Sequence, residues 1–177
     1  MLIVADTSVL LNFLKIGREK LLTQLPEPVA VTNHVREELI VPAQRERLVT
    51  LIANNQIKEI ILDSTPELQM FARFMASGRL GLGECSTLAH GILHKSTVAL
   101  DDSRAIKEAK KIDASVKILQ TQDIVVRLIK TGQLTIQEAD AIKQEWAKMH
   151  RFSTRLLKLR RRSPSDTLQL RGVYTEA

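Results

Sequence analysis

Short apolar runs alternate along the chain with stretches of helical periodicity, and the alternation starts at once. Leu2-Ile3-Val4-Ala5 reads as a buried strand ending at Asp6. Thr7-Ser8 offer capping hydroxyls, and Val9-Leu10-Leu11 with Phe13-Leu14 form the apolar face of a first helix. Pro26-Glu27-Pro28 breaks the chain before a brief strand, Val29-Ala30-Val31. Thr32 or Asn33 can cap the next helix, which carries Val35, Leu39 and Ile40. Ile57 to Leu62 predicts a third strand, and Pro66 opens a helix containing Leu68, Phe71 and Phe74. Leu80-Gly81-Leu82-Gly83 predicts a loop, followed by a helix from Glu84 to about His94. A fourth strand, Thr97 to Leu100, ends at Asp101-Asp102, and Val116 to Leu119 predicts a fifth. Ile124 to Ile129 then reads as a helix, and Thr135 to Leu159 as a further helical stretch.

Five strands separated by helices predict an α/β domain, a three-layer α/β/α sandwich around a central, mostly parallel five-stranded sheet. Right-handed crossovers leave few windings open. The expected division is a domain over residues 1–131, a helical basic extension over 132–162 with its boundary near Gly132, and a polar, flexible tail over 163–177.

Composition narrows the class. The 44% hydrophobic and 26% charged fractions are those of an ordinary globular chain. No run approaches the roughly 18 apolar residues of a membrane helix, so no membrane partner is expected. The N-terminal residues lack a basic region and a small-residue cleavage site, and a single Cys85 offers no internal disulfide. A reducing, cytoplasmic location is therefore expected. Cys85 is expected to be a packed helix residue.

The net charge of +6 is unevenly placed. Residues 143–162 hold eight basic side chains against Glu145 alone, whereas residues 1–142 hold 17 basic and 17 acidic ones. This concentration near Arg155, Lys158, Arg160, Arg161 and Arg162 suits a polyanion such as RNA, or an acidic protein; a solvated terminal helix is the alternative. Aromatics make up only 3%, too few for a base-stacking platform. RNA would be held through its backbone charge, with affinity falling steeply as salt rises.

Ligands of open α/β sheets bind beyond the carboxyl ends of the strands. Asp6 and the Asp101-Asp102 pair lie at such ends. Glu84 falls in the first turn after a Gly-rich loop, and Glu38 one turn into the helix after the second strand. A winding that sets the first and fourth strands side by side would gather these acids. Two carboxylates about 4 Å apart repel by roughly 4 kcal/mol at an effective dielectric near 20. Several together need a cation or strongly raised pKa values. Oxygen-only donors suit Mg²⁺ or Mn²⁺ rather than Zn²⁺. Singly, each acid has a plainer role: Asp6, Asp101 and Asp102 as helix caps, Glu84 against a helix dipole, Glu38 as a surface residue.

These segments resemble the PIN-domain family. Ile3-Val4-Ala5-Asp6-Thr7-Ser8-Val9-Leu10-Leu11 resembles its opening strand, and Val35-Arg36-Glu37-Glu38-Leu39 its second acidic motif. Leu80-Gly81-Leu82-Gly83-Glu84 with Leu88-Ala89 resembles the third, and Leu100-Asp101-Asp102-Ser103-Arg104-Ala105 the fourth. Order and spacing hold over residues 1 to about 131. The chain is most similar to the prokaryotic group that includes VapC-type toxins. That resemblance implies a Mg²⁺- or Mn²⁺-dependent endoribonuclease, an antitoxin protein partner and a homodimer. It implies metal binding by Asp6, Glu38, Glu84 and Asp102, with Asp101 replacing or assisting Asp102, and supporting hydroxyls from Ser8 and Thr121. The C-terminal helices exceed a minimal VapC chain, and Gln120 stands where the extended subgroup commonly has Gly.

Other readings are weaker. A non-catalytic PIN-like module binding RNA or protein is the alternative, against which the complete acid set argues. A phosphotransfer domain with Asp6 as nucleophile lacks the second Asp two residues on and a matched Lys. Gly81 and Gly83 precede no Gly-Lys-Ser/Thr, so they form no P-loop. His90 and His94 stand four apart, but no acid or third His completes a motif such as H-E-x-x-H, so they are expected to be structural.

Overall fold

The computed structural model describes residues 1–148; most of the basic stretch, including Arg155, Lys158, Arg160, Arg161 and Arg162, lies outside the described residues. Five strands form the sheet: β1 (Ile3–Ala5), β2 (Val29–Thr32), β3 (Lys58–Ile60), β4 (Thr97–Ala99) and β5 (Ile118–Leu119). Their order is β3-β2-β1-β4-β5, and every neighbouring pair runs parallel. Every residue of β1, β2 and β4 is buried, so both faces of the sheet centre are covered. That is the three-layer arrangement expected of an all-parallel sheet. The chain from Met1 to Ala139 forms one compact unit; of the second, only residues 140–148 are described.

Eight helices are described: α1 (Thr7–Lys15), α2 (Asn33–Glu37), α3 (Pro42–Ala53), α4 (Thr65–Met75), α5 (Leu82–Leu93), α6 (Ser103–Ile112), α7 (Thr121–Lys130) and α8 (Ile136–Lys148). In α1, Val9, Leu10, Phe13 and Leu14 occupy one face and are fully buried, a burial contributing about 1.5–3 kcal/mol for each large side chain. Ser64 and Glu67 close a capping box at the start of α4, with Pro66 in the first turn. Thr32, rather than Asn33, caps α2, which ends at Glu37 and leaves Ile40 exposed.

Several elements differ from the sequence pattern: β3 and β5 are shorter than expected, and α2 ends before Leu39 and Ile40. Helix α5 begins at Leu82, so Gly83 is helical rather than part of a loop. Helix α3 was not anticipated, because only Leu48 and Leu51 of its twelve residues are buried and its amphipathic signal is weak. Cys85 is buried in α5, where burial pushes its thiol up to about 11, outside the range of a reactive thiolate. Gly91 of α5 lies against β4: a methyl group there would collide with Val98. This close approach fixes α5 on the sheet, with its N-terminus at the carboxyl ends of the strands.

Candidate active site

The site is built on the step between β1 and β4. Their pairing, Ile3 to Thr97 through Ala5 to Ala99, carries the chain out of both strands at one edge. There the Asp6 amide donates to the Ala99 carbonyl at 2.9 Å. Asp6 and Asp101-Asp102 thus leave the sheet side by side, as the winding considered above requires.

Asp6 is the N-cap of α1, with extended backbone, and is buried. Its Oδ2 accepts from the Ser8 amide at 2.9 Å and the Ser8 hydroxyl at 2.7 Å. Its Oδ1 is buried and has no hydrogen-bond partner. The capping role and the candidate ligand role therefore use different oxygens. Burial raises the Asp6 pKa, and the charge of Glu38 raises it further, against the hydrogen bonds from Ser8 and Thr7.

Glu38, the C-cap of α2, reaches across to α5. Its Oε1 accepts from the Gly83 amide at 2.8 Å, and its Oε2 accepts a short hydrogen bond from the Thr7 hydroxyl. A Cβ at Gly83 would meet the Thr7 hydroxyl oxygen at 2.8 Å and the Glu38 carboxyl carbon at 2.9 Å. Only glycine leaves room for the carboxylate. Glu84 lies in the first turn of α5, its Oε2 accepting from the Gly81 amide at 3.0 Å. Burial raises its pKa, and beyond that the charges of Asp6, Asp102 and Glu38 all raise it, against the Gly81 hydrogen bond. Those three couplings bring the four sequence-selected acids into one electrostatic neighbourhood.

Asp102 is the N-cap of α6, its Oδ1 accepting from the amides of Arg104 and Ala105 at 2.7 and 3.0 Å. The structure separates it from its neighbour. Asp101 Oδ1 accepts from the Thr121 amide at 2.8 Å, and Oδ2 accepts from the Thr121 hydroxyl at 2.6 Å and Asn12 Nδ2 at 2.8 Å. Both Asp101 oxygens are engaged in holding α7 and α1 to the sheet edge. Burial raises its pKa, moderated by Thr121 and Asn12 and raised again by Asp123, rather than by the four acids. Thr121 therefore touches Asp101 and not the acid group. Ser8 bridges the two sets, its hydroxyl donating to Asp6 and lying 3.4 Å from the Asp101 amide that donates to it. Gln120 has φ −94° and ψ 164°, ordinary extended backbone, so no glycine is needed before Thr121.

Three contributors were not singled out from sequence. Asn12 lies on the buried face of α1 and resembles a misplaced polar residue until Asp101 is seen beside it. Thr7 and Gly83 fall within the quoted motifs, but without an expected role at the site. His90 and His94, expected to be structural, both hydrogen-bond Glu67 of α4. Sequence spacing within α5 could not show this.

The acids are chemically suited to a hard divalent cation, being all oxygen and of like charge, with one buried carboxylate oxygen lacking a partner. Asp6, Glu38, Glu84 and Asp102 are the side chains that would hold it. The chain matches the PIN-domain family (DUF3368) over residues 2–162. It belongs to that family.

No curated protein matches the sequence significantly. Among solved structures, the chain is similar to one described as VapBC2 from Rickettsia felis bound to a DNA fragment from their promoter, at 12% identity and a TM-score of 0.45, over 68% of this chain and 98% of that one. It is also similar to FitAcB from Neisseria gonorrhoeae, at 14% identity and a TM-score of 0.44, with the same shares.

Proposed function

We propose that this PIN-domain protein is a divalent-metal-dependent endoribonuclease that hydrolyses RNA phosphodiester bonds and acts as the toxin of a toxin–antitoxin pair in the cytoplasm. The observation that carries the reading is Asp6 Oδ1, buried and unpaired, with the charges of Asp6, Glu38 and Asp102 converging on Glu84. Bound there, Mg²⁺ or Mn²⁺ supplies positive charge for the phosphate and acidity for an attacking water.

The protein's part is orientation. Ser8 fixes Asp6 by one oxygen and leaves the other directed away from the cap. Gly83 and Thr7 fix both oxygens of Glu38, so its carboxylate cannot rotate freely. Asp101, Asn12 and Thr121 act through position: they tie α1 and the start of α7 to the residue before Asp102. Cationic side chains at Arg155, Lys158, Arg160, Arg161 and Arg162 supply the non-specific attraction for RNA. An antitoxin would cover the acidic cleft, with a cationic side chain suited to enter it, and the toxin would act as a homodimer.

Two features support this reading: the family membership, and the survival of all four acids in one neighbourhood. The test is incubation of the full chain with a mixed RNA pool, with Mg²⁺ or Mn²⁺ and with chelator. Metal-dependent internal cleavage, lost in Asp6→Asn, is expected. Equal cutting by parent and Asp6→Asn would remove Asp6 from the mechanism, and RNA binding without cutting would leave a non-catalytic binding module.

A further inference from the structure

A second group of metal-competent side chains lies toward the other end of α5. Its first turn carries Glu84, its last turn carries His90 and its C-cap is His94, so at about 1.5 Å per residue the histidines lie about 9 and 15 Å along the helix from Glu84. Opposite the histidines stands Glu67, in the first turn of α4. His90 Nδ1 lies 2.8 Å and His94 Nε2 3.1 Å from a single oxygen, Glu67 Oε1. The two imidazoles stack at 4.2 Å between ring centroids. One ligand atom from each of the three residues lies within 4.8 Å of the others.

We propose that Glu67, His90 and His94 form a binding site for a borderline transition-metal dication, Zn²⁺ above all, that ties α4 to α5 and is separate from the acid cleft. Three features of the geometry carry this. The donors are two nitrogens and one oxygen, a set suited to Zn²⁺ and poorly suited to Mg²⁺. The carboxylate is already oriented, since Glu67 Oε2 accepts from the Ser64 hydroxyl at 2.6 Å, leaving Oε1 for the histidines. Access is graded: the Glu67 and His90 side chains are 7% and 12% exposed, and His94 is 52% exposed, which gives an entry path and room for a fourth, water ligand.

Distance decides what must move. Metal–ligand bonds of about 2.0–2.2 Å in a tetrahedron set ligand atoms roughly 3.4 Å apart. The two nitrogen–oxygen separations, 2.8 and 3.1 Å, must therefore open by about 0.6 and 0.3 Å. His94, half exposed, can yield the smaller opening by side-chain rotation, and the larger one falls to His90 and Glu67. A neutral ring that donates to Glu67 moves its proton to its other nitrogen when the metal takes the lone pair; an imidazolium releases a proton to solvent.

The proposal stands apart from the nuclease reading, and its test separates them. The full chain carrying Asp6→Asn, stripped with chelator, is titrated with Co²⁺ alone and then with Zn²⁺ in competition. Saturable uptake with visible absorption bands of tetrahedral intensity is expected, together with a Zn²⁺-dependent rise in Tm. His94→Ala, at a half-exposed position that does not threaten folding, should weaken Zn²⁺ by roughly 100-fold, the upper end of what loss of a mere supporting partner costs. It should also remove the absorption bands and the Tm rise. If the Asp6→Asn parent shows no saturable uptake, or if His94→Ala binds Zn²⁺ as tightly as that parent, the three side chains are only a hydrogen-bonded cluster and the proposal fails.

Discussion

Glu38 and Gly83 are 45 residues apart in sequence, yet the Gly83 amide donates to Glu38 Oε1 at 2.8 Å, and the space a methyl group would take at Gly83 is already filled by that carboxylate. Substituting Gly83→Ala should therefore displace Glu38 while keeping the helical backbone, which has no positive φ there. Overpacking of this kind costs about 1–3 kcal/mol. Denaturant unfolding should show that loss, and RNA cleavage should fall far more than stability does. Retention of parental cleavage by a folded Gly83→Ala protein would show that the placement of Glu38 is immaterial.

Asp6 sets a pH signature. Its folded-state pKa is raised by burial and by Glu38, so the folded protein holds the proton more tightly than the unfolded chain does. The stabilising effect of its protonation is complete below the ordinary value of 3.8 and is lost as pH rises through the folded value. In chelator-treated protein, Asp6→Asn should thus be more stable than the parent at neutral pH, and the two should converge as pH falls toward 4. Urea midpoints across that range check this; a variant less stable than the parent at neutral pH contradicts it.

Asp101 and Asp102 should separate experimentally. Asp101 is held by Asn12 and Thr121, so Asn12→Ala should cost about 1 kcal/mol by removing one of the two donors to a half-buried carboxylate oxygen. Asp101→Asn should perturb stability more than Mn²⁺ affinity, and Asp102→Asn the reverse. Calorimetric titration of Mn²⁺ into both variants reads the difference, and a greater loss of affinity in Asp101→Asn would reverse the assignment.

The sheet, and the position of Asp6 and Asp101-Asp102 at its edge, were legible because they rest on local signals. The apolar runs of β1, β2 and β4 are fully buried strands, and an acid directly after β1 or β4 must lie at the sheet edge whatever the loops do. Side-chain pairings across the fold were not legible. Glu67 with His90, and Asn12 with Asp101, join residues 23 and 89 positions apart, and no periodicity encodes such a meeting. The Asp101–Asp102 pair shows the same limit. Adjacent residues on a turning chain point different ways, and only the fold shows that Asp101 meets Thr121 while Asp102 caps α6.

The basic stretch should act on affinity and not on chemistry. Removing residues 151–177 deletes seven basic side chains. RNA binding should weaken and its dependence on salt should flatten, by up to about 0.7 in log–log slope for each lost contact to a single strand. Filter binding across a salt series measures this; an unchanged slope would assign RNA contact elsewhere.

The most direct measurement is Mn²⁺ binding to the full chain, followed by electron paramagnetic resonance, in parent and Asp6→Asn proteins. A saturable site with affinity between micromolar and millimolar in the parent, weakened at least tenfold (about 1.4 kcal/mol) by the substitution, is what the convergence of Asp6, Glu38, Glu84 and Asp102 predicts. Equal Mn²⁺ affinity in the two proteins, or none in either, would contradict it.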